Sequence, residues 1–281
     1  MINRNLEESI FKILMKGASI VIVGSLFLIV ITILVKGLRA FNIDMLTKIP
    51  NGGFYIGKEG GVLNAIVGSL LIAGGASVIA LIVSIPIVLF INLYINNKSL
   101  LGNTIRLGYD ILFGIPSIIY GAFGFTIMVY FGLKTSLLAG IITVALLVIP
   151  IMVCTMNEII KTVPGELHEA AFSLGTTRLE TSRLVLKQIY PGLITAVLLS
   201  FARGIGDAAS VLFTAGYSDN IPFALDQPAA TLPLAIFFQL GSPVQEVQDR
   251  AYAAALILTI VVLLISIIAR ISSKIFSKNI V

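Results

Sequence analysis

The sequence predicts an all-α membrane protein of six transmembrane helices, and three observations carry that prediction. Hydrophobic residues make up 57% of the chain and charged residues only 12%, with a mean hydropathy of +1.03; a soluble domain so composed would expose far too much apolar surface. Apolar runs long enough to cross a bilayer, roughly 20 residues each, recur six times. Between the fourth and fifth of them lies a polar stretch, 157–190, that belongs in water.

Residues 1–16, with Arg4, Lys12 and Lys16, form an N-terminal segment outside the membrane. The first span runs from Gly17 to Leu38 and, with its outer loop, occupies 17–62. It is too long for a removable signal peptide and lacks the small-residue cleavage pattern. The second run, Leu63 to Ile95, is long enough to tilt or to leave the hydrocarbon. Gly68, Gly74, Gly75 and Ala76 give it small packing surfaces, with Ser84 and Pro86 further on. The third, Ile111 to Leu133, opens on Gly114-Ile115-Pro116-Ser117. Pro116 has no N–H for the carbonyl one turn earlier, so a kink is expected there.

The fourth run, Leu137 to Met156, contains the only cysteine, Cys154, read as a small buried hydrophobe. One cysteine allows no disulfide within the chain and no thiolate metal cluster. The fifth and sixth runs are Gly192 to Ala215 and Tyr252 to Ile271, followed by a tail, 272–281. The segment joining them, Gly216 to Asp249, is long for a connector. Leu232, Pro233, Ile236, Phe237 and Phe238 make its middle apolar, which predicts a re-entrant or interfacial helix.

Orientation follows from the basic residues. With the N-terminus in the cytosol, the inner segments hold twelve: Arg4, Lys12, Lys16, Lys98, Arg106, Lys161, Arg178, Arg183, Lys187, Arg270, Lys274 and Lys278. The outer segments hold six, Lys36, Arg39, Lys48, Lys58, Lys134 and Arg250. The excess puts both termini in the cytosol. The net charge of +5 is spread over inner loops and tails rather than clustered with aromatics, so it calls for membrane lipid and not for nucleic acid.

The polar stretch 157–190 is then cytosolic. Leu167, Ala170, Ala171 and Leu174 fall on one face of a short helix, and Glu166, Glu169 and Ser173 on the other. Pro164 suits its first turn and Gly175 the residue past its end, while Thr177 with Glu180 reads as a capping box that opens a second short helix. His168, the only histidine, reads as a surface helix residue, since a metal needs several converging ligands. Periodicity alone also allows a plain connecting loop folded back on the membrane.

The fifth span carries Arg203 and Asp207 near its middle, four residues apart and so on one helix face. Ala196, Ser200, Arg203, Asp207, Ser210 and Thr214 extend that face into a small and polar stripe that should meet a partner helix or water. An arginine at the centre of a bilayer costs on the order of 2.5–3.5 kcal/mol on insertion scales, so it is either neutralised or used. In one reading Arg203 and Asp207 neutralise each other and hold helices together. In the other, Arg203 receives a passing anion and Asp207 orients or releases it, a planar guanidinium being suited to oxyanions. A secondary transporter is a rival class, but no second copy of the Arg203 segment marks an internal repeat. A membrane enzyme would need a nucleophile and base, or metal ligands, that Cys154 and His168 alone do not supply. The chain has no Gly-x-x-x-x-Gly-Lys-Ser/Thr loop, so it does not cradle ATP in the usual way.

Glu169-Ala170-Ala171, three further residues and then Gly175, placed before the penultimate span, resembles the coupling segment of ABC-importer permeases of the type I, MetI-like fold. The resemblance covers about Leu63 to the last span, so that 63–271 reads as one permease domain including the coupling segment 157–190. Its more specific parts resemble the permeases of phosphate transporters, the PstA kind: Gly114-Ile115-Pro116-Ser117-Ile118 with Tyr120-Gly121, Arg203-Gly204-Ile205-Gly206-Asp207 with Leu212-Phe213-Thr214-Ala215, and Thr231-Leu232-Pro233. The chain departs from that pattern at Asp207, where the family has Glu, at Ser210, where it has Pro, and at Lys187-Gln188, where it has Leu-Pro.

The resemblance implies a multi-pass permease subunit of the cell membrane that imports inorganic phosphate or, in the same architecture, sulfate, molybdate or a phosphonate. It implies a substrate pathway through Arg203, Asp207, Ser200, Ser210 and Ser117, and contact with an ATPase through Glu169, Ala170, Ala171 and Gly175. The partners it implies are a second, related permease, two ATPase subunits that use ATP and magnesium, and an extracytoplasmic phosphate-binding protein. The chain itself would have no cofactor or metal and no enzymatic site.

Overall fold

The computed structural model describes residues 4–51, 59–95 and 99–277. Lys58, Lys98 and Lys278, counted above for orientation, and the end of the tail at 278–281 lie outside the described residues. Those residues are nearly all helical. In chain order they form α1 (Arg4–Ala40), α2 (Asp44–Thr47), α3 (Leu63–Leu89) with a π-helical turn at Phe90–Tyr94, α4 (Leu100–Gly114), α5 (Ser117–Tyr130), α6 (Leu137–Lys161), α7 (Gly165–Ser173), α8 (Arg178–Ile205), α9 (Leu232–Leu240) and α10 (Gln245–Ser277).

Five helices are long and apolar enough to cross a membrane, and the bent pair α4–α5 makes a sixth crossing if it counts as one. The N-terminal segment is not separate from the first span, because α1 is continuous from Arg4.

The centre of the bundle is α3, α6 and α8. Small residues bring these helices together: a side chain on Gly75 would meet Ile141 at 2.9 Å, one on Gly204 would meet Val144 at 3.1 Å, and one on Gly192 would meet Ile159 at 2.4 Å. These pairings place α8 antiparallel to α6. Ala76, Ala80, Val144, Val148, Met152, Val185 and Ala196 fill the space between. One face of each helix is therefore sealed inside the chain. The opposite faces keep Leu70, Val78, Ile82 and Ile142 exposed, as suits surfaces turned to lipid or to another subunit.

A second core caps one end. Met45, Val62, Ala65, Leu232, Ala235, Ala253 and Ala254 pack together there, and the apolar part of the long connector forms the short helix α9, with Leu234 buried and Phe237 and Phe238 exposed. Its start is stitched to α3: Leu232 N donates to Ser69 Oγ at 2.8 Å, and a Cβ on Gly68 would stand 2.0 Å from the Ala230 carbonyl oxygen. Arg250 reaches from α10 to the Gly60 carbonyl. At the periphery, α1 lies along α10, with Gly37 against Tyr252 and Leu256 and Lys36 Nζ 4.5 Å from the centre of the Tyr252 ring.

The third span breaks more sharply than a kink. Helices α4 and α5 meet at 97°, because Pro116 cannot donate to Leu112 O. That carbonyl instead accepts from Ile115 N at 3.2 Å and from Tyr120 Oη at 2.8 Å, which holds the elbow closed. At 14 residues, α5 is about 21 Å long and too short to span the hydrocarbon alone. The elbow lines an open apolar pocket of about 350 Å³ between Leu112, Ile119, Phe123, Leu146 and Pro150. Cys154 is only partly buried, contrary to expectation, and its thiol lies 3.9 Å from Asp110 Oδ1 of α4.

Candidate functional site

The fifth span ends earlier than its hydropathy suggests. Helix α8 stops at Ile205, so Arg203 and Asp207 do not share a helix face. Gly204 and Gly206 weaken the helix, and Asp207 turns its carboxylate onto the backbone, where Oδ2 accepts from Ser210 N at 2.8 Å. Thr214 Oγ1 then donates to Ser210 O at 3.0 Å. The 4-3-4-3 spacing that suggested one long stripe is kept here by successive turns rather than by a helix.

This break is tightly held. A side chain on Gly121 of α5 would meet the carbonyl oxygens of Ala209 and Ser210 at 2.8 and 2.9 Å. The N-terminal amides of α6 use the same segment and its continuation as acceptors: Ser136 N donates to Thr214 O at 3.0 Å and Leu137 N to Gln227 O at 2.7 Å. These bonds satisfy donors that a helix start leaves open. Next to the break, burial pushes the Tyr217 phenol up to about 12, with Asp219 adding to the shift; its ring meets Phe238 edge-on at 5.3 Å.

Members of the predicted stripe part company. Ala196, Ser200, Ser210, Thr214 and Asp207 are buried, whereas Arg203 is exposed. Ion pairs join Lys12 to Glu8, Lys48 to Asp44 and Lys161 to Glu158, but none joins Arg203 to Asp207 among the described residues, so these two do not neutralise each other. Ser200 and Ser210 have buried hydroxyls with no hydrogen-bond partner in the chain. Ser117, half-buried, begins α5 just past the elbow.

Depth gives Arg203 its meaning. Gly204 faces Val144 and Val148 of α6, about nine residues or roughly 14 Å from the start of that helix. The guanidinium therefore leaves the bundle near mid-depth, on the same side of α8 as the exposed Leu199. A charge at that level must face protein or water and not hydrocarbon.

The other end of α8 is built differently. Helix α7 follows Pro164, and Gly175 adopts φ +80° just past its end, a conformation glycine takes at little cost. Thr177 Oγ1 accepts from Glu180 N at 3.3 Å and Thr177 N donates to Glu180 Oε2 at 2.8 Å, the reciprocal capping box read from the sequence. The helix it opens is not short, since α8 continues for 28 residues through Pro191. Nor is the apolar face of α7 buried: Ala171 is covered, but Leu167, Phe172 and Leu174 are 38%, 44% and 86% exposed. The chain offers α7 little beyond the start of α8 to pack on. Glu169, Ala170 and Gly175 are exposed as well.

Two contacts at this end had no clear sign in the sequence. Asn92 Nδ2 donates to Asn157 Oδ1 at 2.9 Å, and Arg178 Nη1 donates to Tyr94 O at 3.3 Å.

Comparison with known proteins bears on the whole assembly. The family described as binding-protein-dependent transport system inner membrane component matches residues 84–281. The phosphate transport system permease protein PstA of Yersinia pestis is 37% identical over 248 residues, covering 87% of this chain and 81% of that protein. PstA of Pasteurella multocida is 34% identical over 248 residues, covering 86% of each. Among solved structures, an inward-facing MetNI methionine ABC transporter chain overlays with a TM-score of 0.62 at 18% identity, over 76% of this chain and 94% of that one.

Proposed function

The chain belongs to the family of binding-protein-dependent transport system inner membrane components, and from that premise we propose that it is the phosphate-conducting permease subunit of an ATP-binding-cassette importer. It is a multi-pass protein of the plasma membrane with the MetI-like permease fold. The substrate assignment is supported by the function that its PstA relatives carry in their names. The structural observation that carries the pathway is Arg203, exposed near mid-depth on α8 without an ion pair among the described residues.

On this reading the Arg203 face of α8 turns toward a second, related permease, and the pathway runs between the two. Phosphate offers the guanidinium two oxygens at once, a match that a permanently charged planar fork makes well. Ser117, half-buried at the start of α5, is a further polar group for the route, Ser200 and Ser210, buried inside the chain, meet the anion only as the bundle opens, and Asp207 fixes the turn that ends α8. Keeping its carboxylate on Ser210 N leaves Arg203 available to the anion. Because the chain has no phosphate-cradling loop, ATP and magnesium are used by two separate ATPase subunits, and the permease is not itself an enzyme.

Helix α7, with Glu169, Ala170 and Ala171 and closed by Gly175, docks on one of those ATPase subunits, its exposed Leu167, Phe172 and Leu174 supplying the apolar contact. Both termini and α7 are then cytosolic, and the α9 end faces an extracytoplasmic phosphate-binding protein. ATP-driven closure displaces α7 and rocks the bundle between outward and inward openings, so that Arg203 meets each side in turn.

The test is uptake of labelled phosphate into vesicles holding the assembled complex and its binding protein, with sulfate and molybdate as competitors. ATP-dependent uptake that ignores both competitors is the expected result. Competition by either would reassign the oxyanion, and uptake without ATP would overturn the importer reading.

A further inference from the structure

Helix α7 presents a mechanical difficulty. It packs mainly on the start of α8, and the turn between them contains Gly175 at φ +80° with no atom near enough to touch an added Cβ. A displacement of α7 could be absorbed at this turn. Something must tie the junction to the rest of the bundle if the movement is to reach the core.

Arg178, the first residue of α8 and three past Gly175, makes such a tie. Its Nη1 donates to the Tyr94 carbonyl at 3.3 Å, and its guanidinium carbon lies 5.6 Å from the centre of the Tyr94 ring. Tyr94 ends the π-helical turn that finishes α3. A helix end leaves its last carbonyls open and carries partial negative charge, so a cation there meets both an acceptor and a favourable field. The Tyr94 ring stacks on Phe90 at 6.1 Å. The same π turn is fixed to α6, since Asn92 Nδ2 donates to Val88 O and to Asn157 Oδ1, each at 2.9 Å.

We propose that Arg178 is a positioning residue that passes the displacement of α7 through Tyr94 and the π turn into α3 and, by the Asn92–Asn157 bond, into α6. The contacts form one continuous line from the α7–α8 turn to two of the three central helices. The π turn suits the role. Ile95 N bonds Phe90 O at 3.2 Å, five residues back, a register that occurs mostly as single turns within α-helices and frequently at functional sites. Pulling on Tyr94 acts on the end of that turn. The proposal rests on α7 being the ATPase-docking element.

The experiment uses the complete complex, with its ATPase subunits and binding protein, in liposomes, and reads phosphate taken up per ATP hydrolysed. Arg178→Gln should assemble and hydrolyse ATP in response to the binding protein, while phosphate per ATP falls about threefold or more, the factor that loss of one exposed cation–π contact brings. Arg178→Lys, which keeps a cation but loses the planar fork, should recover part of the ratio. Should Arg178→Gln fail to assemble, Tyr94→Leu carries the test, since it removes the ring and keeps the carbonyl; a lowered ratio is expected there too. An unchanged ratio in Arg178→Gln, or in Tyr94→Leu when that variant must stand in, overturns the proposal. Gly175→Arg separates it from its premise. If Gly175→Arg uncouples and the Arg178 variant does not, only the Arg178 link fails; if Gly175→Arg couples normally, α7 docking falls and the Arg178 link with it.

Discussion

The two ends of α8 are built on opposite plans. At the Ile205 end the backbone stops on a carboxylate, closes against Gly121 of α5 with no room for a side chain, and lends its carbonyls to the start of α6. At the Arg178 end the helix is capped by its own residues, follows an unobstructed glycine turn, and carries a neighbour whose apolar side chains are exposed. One end is fixed by the surrounding chain and the other is completed by something outside it. The difference assigns them different work: the closed end holds the polar groups of the pathway at a set depth, and the open end receives a push.

Substitutions that fill the closed end should have the largest effect on the fold. Gly121→Leu would drive a side chain into the backbone at Ala209 and Ser210, an overpacking of about 3 kcal/mol. Little folded protein should be recovered in detergent, and a thermal midpoint near that of the parent would show that the break is looser than its distances imply. Asp207→Ala leaves the Ser210 amide without its acceptor at a buried position, a cost of about 2 kcal/mol, visible as a lower thermal midpoint. Asp207→Asn keeps an acceptor oxygen and should recover most of that stability, so its uptake rate isolates the need for charge.

The open end should tolerate more. Gly175→Ala meets no neighbouring atom, so only the positive φ counts against it, about 1 kcal/mol. Denaturation should shift slightly and ATP-dependent uptake should persist, whereas Gly175→Arg, which places a bulky cation on the docking surface, should insert normally and lose coupling. A Gly175→Arg complex with normally stimulated ATP hydrolysis and uptake would remove that surface from the mechanism.

The smallest effect on the fold and the sharpest on transport should come from Arg203→Gln. The side chain is exposed and has no ion pair among the described residues, so stability should stay within about 0.5 kcal/mol of the parent while uptake is lost. Uptake at the parental rate would take Arg203 out of the pathway.

Much of this contrast can be read from the residues, and the exceptions have physical reasons. Hydropathy locates the spans because bilayer thickness dictates their length. Gly175 and the Thr177–Glu180 box locate the open end because turn and cap chemistry is local. The closed end is harder. From Phe201 to Ala215 the sequence keeps helical spacing and apolar character, so periodicity continues past the point where Gly206 and the Asp207-to-Ser210 bond stop the helix. Pro116 announces a bend but not its 97°, which depends on a tyrosine hydroxyl one turn into the next helix. The Arg178–Tyr94 contact joins residues 84 apart, and no local pattern encodes such a pairing.

The placement of α1 has a consequence for how the protein is made. Its apolar length is exposed to the surroundings and its main support is α10, the last of the described helices. Helix α1 is therefore made well before α10, and its place beside the bundle is set only once α10 has followed it into the bilayer. Until then, α3, α6 and α8 can already seal against one another, and α1 is free to find α10 by diffusion within the bilayer.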